Sequence, residues 1–164
     1  MPAKRLCFHG KVFASGTIYY LDFHETFVAR SGAHLLNEYG MIKKILVAED
    51  DLGLQDVLKI ILENAGYDVQ IFSKGELIMQ RKFSIPDLFL LDKQLSGIDG
   101  IDICKFLKAH PTTRHIPVVM ISANPNIAEL ATSAGADNWI EKPFEVKALL
   151  EMVRNYSFPI NQQR

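Results

Sequence analysis

The chain has 164 residues, 48% of them hydrophobic, and its 18 Lys/Arg and 19 Asp/Glu leave a net charge of −1. That length supports one globular domain with a real core, able to bury roughly two-thirds of the surface its unfolded chain exposes. The near-neutral balance argues against a broad cationic face for nucleic acid or a membrane surface; no apolar run approaches membrane-spanning length, and with no clean apolar core near the first residues no secretory signal is expected.

Residues 1–40 carry seven of the sixteen aromatics and three of the five His, with breaks at Ser15-Gly16 and Ser31-Gly32. A hairpin over Val12–Phe27 and a short helical turn over Ala33–Tyr39 are the structures this stretch predicts. It lacks the regular rhythm of the chain beyond Met41, so residues 1–41 read as an extension without a function of its own. Cys7 and Cys104 form no C-x-x-C pair; Cys104 lies on a helical pattern and reads as a small buried hydrophobe in a reducing cytoplasm.

From Ile42 the pattern becomes regular. Ile45–Ala48 is an apolar run ending in Glu49-Asp50-Asp51. Leu54, Val57, Leu58, Ile61 and Leu62 come next at helical spacing, closed by Gly66. Tyr67–Ile71 alternates like a strand, Gly75–Lys82 is weakly helical, and Leu88–Leu91 is a second apolar run. Ile103, Phe106 and Leu107 mark a helix that stops before Pro111, and Val118–Ile121 is a strand. Ile127, Leu130, Ala131 and Ala134 mark a helix closed by Gly135, and Asn138–Glu141 is a short strand. Val146, Leu149, Leu150 and Val153 give a last helix. Five strands alternating with five helices predict βαβ units, hence a doubly wound parallel α/β sheet with helices on both faces. This unit spans 42–156, and 157–164 form a short tail.

Why does a strand as apolar as Leu88–Leu91 run straight into Asp92? A lone Asp there is ordinary turn chemistry. In a doubly wound sheet, however, ligands bind outside the carboxyl ends of the strands. The first strand of the regular region delivers Glu49 and Asp50 there, the third Asp92, the fourth Ser122 and the fifth Lys142. Three crowded carboxylates call for a cation. Oxygen ligands without His or Cys select a hard divalent ion, and an open site that keeps waters suits Mg²⁺ better than Ca²⁺. His110 and His115 fall in the loop entering the fourth strand, at the other end of the sheet. With a metal bound, Asp92 has the chemistry of a nucleophile toward a phosphoryl group. Lys142 would balance charge on that group's oxygens, and Ser122 would donate a hydrogen bond to one of them.

Residues 42–156 resemble the receiver domain of two-component response regulators. The match lies in the acidic pair Glu49-Asp50, in Leu90-Leu91-Asp92, in Ser122-Ala123 and in Lys142-Pro143-Phe144. The resemblance implies strand order 2-1-3-4-5 and phosphorylation of Asp92. It implies Mg²⁺ held by Glu49, Asp50, Asp92 and the backbone carbonyl of Gln94, and phosphoryl contacts from Ser122, Ala123 and Lys142. It also implies a switch pair, Ser122 and Trp139, and a cis bond before Pro143. Its donor would be a histidine kinase or a histidine phosphotransfer protein. Its output would be a protein bound at the face of the fourth helix, fifth strand and fifth helix, without direct contact to nucleic acid or membrane. Such a protein is no enzyme beyond its own phosphorylation and dephosphorylation, and with so short a tail a stand-alone receiver is expected.

This sequence departs from the family pattern at three places. Ser96 stands where Pro is typical, Gln94 and Asn124 occupy variable positions beside the phosphoryl group, and Trp139 is larger than the usual switch aromatic. Rival functions fare worse. A haloacid-dehalogenase phosphatase needs a second Asp two residues after the nucleophile, where this chain has Gln94. A flavin or nucleotide binder wants a Gly/Ser/Thr-rich loop after the first strand, where Glu49-Asp50-Asp51 would repel phosphate. The remaining alternative is a protein-interaction module of the same fold that no longer uses phosphorylation.

Overall fold

The computed structural model describes residues 42–158 and, as backbone strands, β1 (His9–Ala14) and β2 (Thr17–Asp22). The regular region comprises β3 (Lys44–Ala48), α1 (Leu52–Asn64), β4 (Asp68–Phe72), α2 (Gly75–Met79), β5 (Leu88–Asp92) and α3 (Gly100–Ala109). It ends with β6 (Val118–Ser122), α4 (Ile127–Ala134), β7 (Asn138–Glu141) and α5 (Val146–Ser157).

Strands β3 to β7 form one parallel sheet in the order β4-β3-β5-β6-β7. Counted from β3 this is 2-1-3-4-5, the predicted order. Side chains alternate between the two faces, as period two requires. Ile45, Val47, Leu88, Leu90, Val119 and Ile121 pack with Leu54, Leu58, Ile61 and Leu62 of α1 and Leu149 and Val153 of α5. Leu46, Ala48, Phe89, Leu91, Val118 and Met120 pack with α2, α3 and α4 on the other side. Both faces are therefore covered, which is why β5 and β6 read as continuous apolar runs rather than alternating ones. At such positions a Leu→Ala change costs roughly 2–5 kcal/mol.

Local signals set the helix ends. Asp51 caps α1 by accepting from the Leu54 amide at 2.8 Å, and Asp99 caps α3 by accepting from Ile101 at 2.8 Å. Gly66 and Gly135 take positive φ, 90° and 81°, after α1 and α4. Cys104 is fully buried, its thiol 3.5 Å from the Ala134 carbonyl, and burial pushes its pKa up to about 11. Its role is therefore inert packing.

Three boundaries differ from expectation. The weakly helical stretch predicted over Gly75–Lys82 is a helix only to Met79. Ile78 is the one large side chain that it buries fully, and Arg81 sits at φ 57° with its guanidinium 5.4 Å from the Phe106 ring centre. The helix closes there, with Arg81 N donating to the Ile78 carbonyl and Lys82 N to the Leu77 carbonyl, both at 2.9 Å. Strand β4 runs one residue later than predicted, because Asp68 pairs with Lys44 while Tyr67 turns inward to meet Phe158. The hairpin expected over Val12–Phe27 lies earlier: β1 pairs antiparallel with β2, Ala14 opposite Thr17. The turn expected over Ala33–Tyr39, Cys7 and residues 159–164 lie outside the described residues. Among those described, no helix is long and apolar enough to cross a membrane.

Candidate functional site

The strand order reverses between β3 and β5, which lie side by side with Ala48 opposite Leu91. One residue further on, Glu49 and Asp92 leave the sheet next to each other. Asp50 joins them, and one carboxylate oxygen from each of the three lies within 4.8 Å of the others. Gly100 permits this packing: a Cβ at that position would come 2.0 Å from the Asp92 carbonyl oxygen. Any larger residue would force α3 away from the strand end.

Lys142, just past β7, reaches back over two strands. Its ammonium donates to Glu49 Oε2 at 2.9 Å and to Asp92 Oδ2 at 2.6 Å. The backbone fixes its approach, since Lys142 N donates to the Ser122 carbonyl at 2.8 Å. Asp92 Oδ1 accepts from Gln94 N at 3.0 Å, and Glu49 Oε1 from Asp51 N at 3.1 Å. Glu49 and Asp92 are buried, at 1% and 5% exposure. Burial raises the Glu49 pKa to about 7, and the neighbouring Asp92 adds to it; the Lys142 ammonium only partly offsets them. Burial would lower the Lys142 pKa, but the Asp92 and Glu49 carboxylates outweigh it and hold it above its ordinary value. One ammonium thus serves two of three carboxylates, and the surplus negative charge with its all-oxygen donor set fits a hard divalent cation.

The remaining predicted residues lie on β6 and β7 or in the loops just beyond β5, β6 and β7. Ser122 ends β6, fully buried, its hydroxyl accepting from Asn124 N at 3.0 Å. Ala123 is next in the chain and is exposed. Gln94 is exposed in the loop after β5, and the Lys142–Pro143 peptide is cis. Trp139 lies opposite Met120 on edge strand β7, half-buried against the core on the α4 side. His110 ends α3 at the opposite edge of the sheet, its ring 2.8 Å from the Thr112 hydroxyl, so it takes no part here.

The family model described as the response regulator receiver domain matches residues 45–154. The chain belongs to the response-regulator receiver family. Among curated relatives, the DNA-binding response regulator MtrA of Mycolicibacterium paratuberculosis is 37% identical over 117 residues, covering 70% of this chain and 51% of that protein. The chain therefore spans about half the length of that relative. Among solved structures, a Chloroflexus aurantiacus J-10-fl protein assigned as a response regulator matches with a TM-score of 0.67 and 32% identity, covering 71% of this chain and 98% of that one. The receiver domain of the sensor histidine kinase PA1611 from Pseudomonas aeruginosa, solved with magnesium in its active-site cleft, matches in fold. Its TM-score is 0.66 at 24% identity, covering 71% of this chain and 98% of that chain.

Two contacts of the receiver site had no signal in the sequence. Gln55 on α1 donates its side-chain amide to the Glu49 carbonyl at 2.5 Å, steadying the turn that presents the acidic pair. Ser96 bonds Asp50. Neither residue type announces such a role, because both contacts depend on how loops meet in space.

The raised Glu49 pKa makes a stability prediction for the metal-free receiver. Its folded value, about 7, exceeds its ordinary value of 4.5. The stability that Glu49 contributes is therefore complete below about pH 4.5 and is lost as pH rises through about 7. In chelator, the wild-type thermal midpoint should fall relative to that of Glu49→Gln between pH 5 and pH 8 (a window set by that shift). A difference that stays constant across this range would contradict the crowding.

Proposed function

We propose that this receiver takes a phosphoryl group onto Asp92 from a phosphohistidine on a histidine kinase or a histidine phosphotransfer protein, and so switches a protein-binding face. The observation that carries this reading is the meeting of a buried strand-end carboxylate, Asp92, with two more carboxylates and one ammonium. An oxygen of Asp92 attacks phosphorus; the new P–O bond forms as the P–N bond to the donor imidazole breaks, and the imidazole keeps that electron pair. Lys142 would balance charge on the phosphoryl oxygens, and the Ser122 hydroxyl and the Ala123 amide would donate to them. Glu49, Asp50, Asp92 and the Gln94 carbonyl would hold Mg²⁺, which when bound would neutralise the carboxylates and the incoming phosphoryl charge. Apart from this self-modification the receiver performs no turnover.

The receiver unit spans 42–156, with 1–41 as an extension and 157–164 as a tail whose first two residues finish the packing of α5. The Ser157 hydroxyl bonds the Val153 carbonyl at 2.7 Å, and Phe158 meets Tyr67. The downstream partner, a cytoplasmic protein, binds the face formed by α4, β7 and α5. Occupation of Asp92 would draw the Ser122 hydroxyl away from Asn124 and let Trp139 move inward, shifting a pre-existing balance of two arrangements.

The sole tryptophan of the chain makes this testable. Beryllofluoride with Mg²⁺, which mimics the phosphoryl group, should change the Trp139 emission maximum or its access to a quencher. Ser122→Ala should blunt the change and leave Mg²⁺ binding intact, since a methyl group cannot make the hydrogen bond. An unchanged Trp139 while Asp92 is demonstrably occupied would make the indole structural cover; it is the absence of Mg²⁺-dependent phosphorylation of Asp92 that would favour an interaction module that does not use phosphorylation.

A further inference from the structure

Asp50 is the site carboxylate that Lys142 leaves to others; the ammonium bonds Glu49 and Asp92. Asp50 Oδ2 instead accepts two hydrogen bonds from a single residue, from Ser96 N at 3.0 Å and from the Ser96 hydroxyl at 2.5 Å. Asp50 lies in the turn after β3, and Ser96 lies four residues beyond Asp92 in the loop after β5, so the pair ties together the two loops that border the cluster. Proline at this position would supply neither donor, having no N–H and no hydroxyl. The loop is held on either side of Ser96. Leu95 is buried in the core at 8% exposure, and Gly97 turns the chain at φ 93°.

Two donors on one oxygen fix both the rotamer of Asp50 and the plane of its carboxylate. They also leave Oδ1 without a protein donor among the described residues. A metal-binding carboxylate whose second oxygen is already held loses less side-chain freedom when a cation arrives, and outer-shell partners of this kind tune metal affinity. We propose that Ser96 is a positioning residue: it orients Asp50 as a ligand for Mg²⁺, replacing by hydrogen bonds what a rigid proline would contribute through the backbone. This role presupposes the Mg²⁺ site proposed above.

The test is titration calorimetry of the full chain with magnesium chloride, comparing wild type, Ser96→Ala and Ser96→Thr. Ser96→Ala removes the hydroxyl donor and should weaken Mg²⁺ about tenfold, the low end of what losing an outer-shell partner costs. Ser96→Thr keeps both donors and should bind like wild type. Ser96 is exposed, so the thermal midpoint in chelator should be the same for all three. Unaltered or tighter binding by Ser96→Ala overturns the role, as does loss of affinity in Ser96→Thr. A fall of the Ser96→Ala midpoint in chelator matching its loss of affinity would show general loosening and also overturn it. If wild type itself shows no saturable Mg²⁺ binding, the metal reading falls and the role of Ser96 falls with it. If wild type binds and Ser96→Ala binds equally, only the role of Ser96 falls.

Discussion

Lys142→Ala should destabilise the chelator-treated protein at pH 8 by about 3 kcal/mol, the lower range for breaking a buried ion pair. For a domain of this size that corresponds to a fall in midpoint of roughly 10 °C. The reason lies in what the ammonium touches. Its side chain is 8% exposed, and the Glu49 and Asp92 side chains it bridges are 2% and 7% exposed. Removing it leaves two buried carboxylates and half-buried Asp50 in one cluster with no cation. The Lys142 pKa is raised above its ordinary value of 10.5, so the ammonium is fully charged at pH 8 and its ion pairs are lost on the alkaline side only above that value. The variant can escape part of the cost by taking up a proton, and Glu49, already at about 7, is the group that will do so. The loss should therefore shrink toward pH 5 (below that raised value). Mg²⁺, binding only the folded state, should restore more stability to Lys142→Ala than it adds to wild type. Urea or thermal denaturation with and without Mg²⁺ measures all of this; a midpoint that barely moves at pH 8 would mean that the ammonium does not hold the cluster together.

The legible parts of this molecule were those governed by period and by strand ends. Leu88–Leu91 runs into Asp92 because β5 is buried on both faces to its last residue and opens only where the sheet ends. The same pattern brought out Ser122 after Val118–Ile121 and Lys142 after Asn138–Glu141. Alternating strands and helices were enough for a parallel sheet, while the order of its strands came from family resemblance, since periodicity does not choose neighbours.

The hidden features depend on contacts between distant parts. Nothing local to Gly75–Lys82 says that Arg81 will leave the helix to lie over Phe106. Tyr67 looks like the first residue of a strand until Phe158, ninety-one positions later, is seen against it. Ser96 showed itself only as a missing proline. Its two bonds to Asp50 span loops forty-six residues apart, and no pattern in either loop encodes them.

The central claim is that Asp92 is the phosphoacceptor and that a divalent metal is needed to load it. Intact-protein mass spectrometry after incubation with a small acyl-phosphate donor tests this most directly. Wild type with Mg²⁺ should gain one phosphoryl group; wild type in chelator and Asp92→Asn with Mg²⁺ should gain none. The Asn side chain fills nearly the same space but is too poor a nucleophile to attack phosphorus. Full labelling of Asp92→Asn, or labelling of wild type without divalent metal, would contradict the assignment.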